Sequence, residues 1–187
     1  MNSRKLAVMA TLVALSTATN YAMISLYNVK LMDLIVFVGG FCFGPFVGAS
    51  IGITSWMVYG AVNPSGFSFP IWLATMLAEA TYGVAGAFVY KSLNLKERNE
   101  FEDERGVSSV SFGILGMLLT FLYDLVTNIV FGFVSGWNIL FSVVFGFVPF
   151  GLIHMISNAF FFGLGCVPAI KAISNVVGGE GFGVFEK

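Results

Sequence analysis

Glu79, Asp124 and His154 are ionisable side chains set inside long apolar runs, and Asn20, Asn128 and Asn158 stand in similar surroundings. Asp33 lies near the end of another such run. In hydrocarbon a charged side chain costs roughly 2.5–3.5 kcal/mol at a helix centre, so each of these residues needs a partner or a task. Their spacing groups them. Thr120, Asp124, Thr127 and Asn128 fall at helical intervals that share one face. His154, Ser157 and Asn158 repeat that geometry, and Trp72, Thr75, Met76, Glu79, Tyr82 and Gly83 form a third stripe. Carboxylates, an imidazole, amides and aromatic faces together suit the capture of a small polar molecule by charge, hydrogen bonding and stacking. Two tasks stay open. The groups hydrogen-bond between helices and hold a bundle together, or they contact a ligand, with Glu79 beside Trp72 and Tyr82 the foremost contact.

Catalytic patterns are missing. The chain holds no HExxH, no GxSxG, no Walker lysine and no glycine-rich phosphate loop. A serine hydrolase would need a nucleophile motif, and the chain offers a lone histidine. Without an ATP-binding motif, any active transport draws its energy from another protein. Cys42 and Cys166 are two thiols in apolar runs, too few for a disulfide framework or a metal site. No cofactor and no metal is expected.

The elements that position these residues follow from composition. Of 187 residues 57% are hydrophobic and 10% charged, with 21 phenylalanines. A soluble domain carries about 25% charged residues, and one aqueous core cannot hide so much apolar area. A formal net charge of −1 argues separately against a nucleic-acid face. The chain reads as an all-α integral membrane protein, a single transmembrane domain over 1–187. About 20 apolar residues cross the ~30 Å hydrocarbon core, which places six spans near 5–26, 31–43, 46–61, 70–90, 109–133 and 149–174. The second and third form a broken hairpin at Gly44-Pro45, Pro70 and Pro149 start spans, and Pro168 predicts a kink. The first run is longer than a signal-peptide core and leads into more membrane sequence, so it is kept as a span. Trp137 to Val148 is too short to cross and predicts an extracellular cap or a re-entrant piece.

Basic residues set the orientation. Arg4, Lys5, Lys91, Lys96, Arg98, Arg105, Lys171 and Lys187 all fall on one side of a six-span bundle, which is therefore cytoplasmic; Lys30 alone lies opposite. Both termini and the charged loop 91–108 face the cytoplasm, and the protein sits in the cell membrane. By helical rise, Asn20, Asp124 and His154 lie roughly 8 Å below the outer face, with Glu79 and Asn158 nearer the midplane. The stripes converge on an outward-facing pocket.

Ala10, Ala14, Ala18 and Ala22 recur every four residues, a flat strip that lets another helix approach closely, inside the bundle or from a partner. The turn Asn63-Pro64-Ser65-Gly66, flanked by Phe67 and Phe69, reads as a ligand lid or as a plain connection.

The Ala-x-x-x-Ala run, the stretch NVKLMDLIVFVGGFCFGPFVGASIG, a Pro/Gly outer loop, and then TFLYDLVTN and HMISN resemble the substrate-binding S-components of energy-coupling factor (ECF) vitamin transporters. The succession of Asp33, Gly40, Gly44-Pro45, Gly48-Ala49 and Gly52 carries most of the likeness, which extends over the whole chain. The resemblance implies a small membrane subunit that captures one micronutrient and docks on a T-component bearing two ATPases. It also implies that Ala10, Ala14 and Ala18 contact the T-component and that the ligand lies between the last three spans. The expected ligand-binding set is Glu79, Asp124, Asn128, His154, Asn158, Trp72, Tyr82 and Asn20. A pocket rich in acids and rings, with Lys30 at its edge, favours a neutral or cationic heteroaromatic micronutrient over a carboxylate. The alternative is an autonomous ion- or proton-coupled carrier; the inverted repeats that favour one are not seen between the two halves.

Overall fold

The computed structural model describes residues 3–63, 66–93 and 109–177. The charged loop with Lys96, Arg98 and Arg105, the turn residues Pro64 and Ser65, and Lys187 lie outside the described residues, as do the side chains of Arg4 and Lys5. Every regular element among the described residues is helical: α1 (Ser3–Ala22), α2 (Met32–Phe43), α3 (Pro45–Ala61), α4 (Phe69–Ser92), α5 (Ser109–Ser135), α6 (Ile139–Gly146), a π-helical turn (Phe147–Gly151) and α7 (Leu152–Val177).

The local sequence explains the boundaries. Hydropathy carries the first run to Leu26, but the helix closes at Ala22. Tighter turns follow, with Ile24 N–H donating to Tyr21 O and Leu26 N–H to Met23 O. Asn28 then takes a left-handed φ of 53°, a conformation asparagine tolerates better than most residues. Gly44 separates α2 from α3 at φ 95°, which a side chain would resist, and Pro45 opens the next helix. The segment before the last long helix is α6, capped by the Asn138 side chain, which accepts from Phe141 N–H at 3.1 Å. Pro149 falls in the π-helical turn, so α7 begins at Leu152 rather than 149. Pro168 lies within α7, which continues helically to Val177.

α2 is the centre. All 12 of its residues are buried, as befits a helix apolar on every side but for Asp33 in its first turn, and α1, α3, α4 and α7 surround it. At about 18 Å it is shorter than the hydrocarbon core. α2, α3 and α4 meet backbone to backbone. A Cβ on Gly83 would collide with the Gly48 carbonyl, and one on Gly48 would lie 2.5 Å from Gly40 Cα. Beside this contact Phe37 packs its ring against Phe112 and Phe162, at 6.0 and 5.1 Å between centroids.

The outward faces are apolar. On α7, His154, Asn158, Phe162, Cys166 and Ile170 point inward at successive turns, while Ile156, Phe160 and Leu164 are 56%, 63% and 74% exposed. This is a helix with lipid on one side and a core on the other. Among the described residues three stretches are long and apolar enough to cross a membrane: Phe69–Ser92, Ser109–Ser135 and Ile139–Val177. The helical apolar bundle is that of a membrane protein.

Candidate ligand site

Inside the bundle, His154 on α7 stands between two carboxylates. Its Nε2 lies 2.7 Å from Asp33 Oδ2 on α2, and its Nδ1 lies 3.0 Å from Asp124 Oδ1 on α5. Two hydrogen bonds among three side chains require two shared protons. Asn158, one turn further along α7, donates from Nδ2 to Asp33 Oδ2 at 2.5 Å and to Thr120 Oγ1 at 2.7 Å. Thr120 also accepts from the Tyr82 hydroxyl at 3.0 Å. Four helices, α2, α4, α5 and α7, are thereby joined by one buried polar chain, whose hydrogen bonds are strengthened by the low local dielectric.

Glu79 on α4 lies beside this chain. Its Oε2 accepts from Trp56 Nε1 at 3.0 Å, and Trp72 Nε1 donates to the Trp56 carbonyl at 3.1 Å. Trp56 on α3 and Tyr123 on α5 present their rings 6.5 Å apart at an angle of 28°. The Lys30 ammonium faces both, 5.3 Å from the Trp56 centroid and 5.1 Å from that of Tyr123. Above them opens a pocket of about 360 Å³ with Lys30, Trp56, Tyr59, Asn63, Asn20 and Phe150 in its wall. Across its mouth Asn28 Nδ2 donates to Phe150 O at 3.0 Å, and the Tyr27 and Phe150 rings lie 4.9 Å apart.

Several buried polar atoms in this region make no hydrogen bond: the acceptors Glu79 Oε1, Asp33 Oδ1, Asp124 Oδ2, Asn158 Oδ1 and Asn20 Oδ1, and the Tyr123 hydroxyl. Buried polar atoms are ordinarily satisfied, and each orphan costs free energy. Of these residues Asn20 lines the pocket and Glu79 reaches its wall through Trp56, whereas Asp33, Tyr123, Asp124 and Asn158 are not in its lining.

Of the expected residues, the structure brings Glu79, Asp124, His154 and Asn158 into this one neighbourhood, and Asn20 into the pocket wall. Tyr82 is fully buried, its ring against Tyr123 and Phe162. Trp72 supports Trp56 from behind, its own ring packed against the exposed Phe67 and Phe69. Asn128 holds α6, its carbonyl accepting from Ser142 Oγ at 2.8 Å. Asp33 stands in the first turn of α2, near the helix end as read from the sequence, yet it is fully buried and central to the polar chain. Lys30 is likewise not peripheral. Trp56, Tyr59 and Tyr123 went unmarked in the sequence because aromatic residues in apolar runs read as core. Among the described residues no group of three or more His, Cys, Asp or Glu side chains is arranged to hold a metal ion.

An apolar helical bundle enclosing a polar cluster beneath a pocket defines a membrane protein that binds a small molecule. The family model for "ECF transporter, substrate-specific component" matches residues 4–164, and the chain belongs to that family. It is a family of transporter substrate-binding subunits, not of enzymes. Comparisons with curated proteins and with solved structures each gave no match.

Proposed function

We propose that this chain is the substrate-capture subunit of an ECF-type importer, holding a vitamin or related micronutrient in its outward-facing pocket for ATP-driven uptake with a T-component and two ATPases. The observation that carries the reading is the set of unpartnered buried polar atoms, reaching the pocket through Asn20 and the Glu79–Trp56 hydrogen bond, in a chain of this family. The acids and rings favour a neutral or cationic heteroaromatic ligand. Mass spectrometry of small molecules that co-purify with the chain tests this. A carboxylate vitamin as the sole species would overturn the ligand class. Uptake by the chain alone, independent of any ATPase, would instead favour an autonomous carrier.

The docking face is proposed on α1. Ala10, Ala14 and Ala18 are exposed rather than packed inside the bundle. With Leu6, Met9, Val13, Tyr21, Thr54 and Val58 they line an apolar groove of about 600 Å³ between α1 and α3. Small residues in such a groove let a partner helix approach closely. Ala14→Leu is expected to reduce assembly with the T-component at least tenfold while ligand binding by the isolated chain survives. The reverse pattern in a pull-down paired with a binding assay assigns the strip to the pocket.

The six-span topology, with both termini and the loop 91–108 in the cytoplasm of a cell-membrane protein, rests on the basic residues. A single cysteine at Asn99 should resist a membrane-impermeant maleimide in intact cells and react after permeabilisation. Labelling from outside would invert the topology.

A further inference from the structure

Lys30 stands on the turn between α1 and α2, half-buried, its ammonium against two aromatic faces. Among the described residues the ion pairs within 4.0 Å are those of His154. Lys30 is thus held chiefly by the two ring faces. Both distances are within the roughly 6 Å over which a cation interacts with a ring face. Trp56 and Tyr123 are 7% and 3% exposed, and the pocket wall includes both Lys30 and Trp56. On the same two ring residues and their hydrogen-bond partners, Glu79 Oε1, whose Oε2 accepts from Trp56, and the Tyr123 hydroxyl are buried without partners, and Lys30 donates to neither. The side chain therefore takes the ring faces but leaves these polar atoms unmet. A mobile four-carbon stem on a turn is also the cheapest element of this wall to move.

We propose that the Trp56–Tyr123 pair is a cation subsite, that Lys30 is its tethered occupant in the empty chain, and that the ligand carries one positive charge that displaces the Lys30 ammonium. This rests on the reading of the chain as a substrate-capture subunit and narrows its ligand to cations. The incoming cation takes over the ring contacts, and its N–H or C–H edge meets the acceptors of Glu79 and Tyr123. Lys30, released, swings toward the pocket mouth.

Three probes sharing one ring and differing in charge separate the possibilities: 1-methylnicotinamide, nicotinamide and nicotinate. They are measured by equilibrium dialysis on the purified full chain in detergent. Lys30→Met keeps the apolar stem and removes the competitor, so it should tighten 1-methylnicotinamide by about tenfold or more. Nicotinamide should change little. Lys30→Arg, which keeps the charge, should leave the cation as weak as in the wild-type chain, and melting temperatures near the wild-type value exclude misfolding. Unchanged or weaker cation binding by Lys30→Met, or no probe bound at millimolar concentration, overturns the subsite. So does nicotinate that binds wild type best and is lost with Lys30→Met, since Lys30 would then be an anion partner. Assembly with a T-component and ATPases is scored separately. A chain that assembles but gains no cation affinity keeps the subunit assignment and loses the subsite; a chain that gains affinity but never assembles does the opposite.

Discussion

Replacing His154 by leucine should destabilise the bundle by about 3–5 kcal/mol, the cost of removing one partner from a buried ionic group. The imidazole alone separates Asp33 from Asp124, at 2.7 and 3.0 Å, and both acids are buried. Leucine is close to histidine in volume, so a cavity would not account for the loss. The measurement is unfolding of the purified chain in detergent, compared with the triple variant Asp33→Asn, Asp124→Asn, His154→Leu. Neutralising both acids should recover most of the stability, because the penalty arises from the carboxylates left behind. A single-variant loss under about 1 kcal/mol would mean the acids find other partners, and a triple variant no better than the single one would assign the loss to packing.

Glu79→Gln should weaken a cationic ligand by roughly 1.5–3 kcal/mol, or about 10- to 150-fold in Kd. The change is conservative in shape: a glutamine oxygen can still accept from Trp56 Nε1, as Glu79 Oε2 does at 3.0 Å. What disappears is the ionisable carboxyl and its unpartnered Oε1. The ligand recovered by mass spectrometry is titrated against both forms. Equal affinities would remove Glu79 from the pocket, and tighter binding by the variant would point to an anionic ligand.

Half of this site was legible in the sequence. Thr120 with Asp124, and His154 with Asn158, recur at helical intervals in runs otherwise apolar, and polarity at that period in hydrocarbon has few innocent explanations. Asp33 and Lys30 are marked in the sequence but left at the margin, because charges at the start of an apolar helix read as groups resting at the membrane surface. Only the burial of α2 on every side draws Asp33 into the interior. Tyr82 shares a stripe with Glu79, yet the two diverge: the tyrosine closes a hydrogen bond to Thr120 in the core, and Trp56, contributed by α3, supplies the ring beside the carboxylate. Periodicity within one helix cannot say which neighbour will face it. The end of α1 was overrun for a different reason, since hydropathy measures solvent preference and not backbone closure.

The glycine contact among α2, α3 and α4 has a mechanical consequence. Where Gly40, Gly48 and Gly83 touch, backbone meets backbone and no side chain can change rotamer to let one helix slide on another. The three helices are one stiff block, and Asp33, Trp56 and Glu79 ride on it as a floor of fixed shape. Lys30 and Phe150 belong to two turns, joined across the pocket by a single hydrogen bond and one ring pair. Compliance is therefore concentrated in the roof, which can lift or settle over ligands of different thickness while the floor keeps its dimensions.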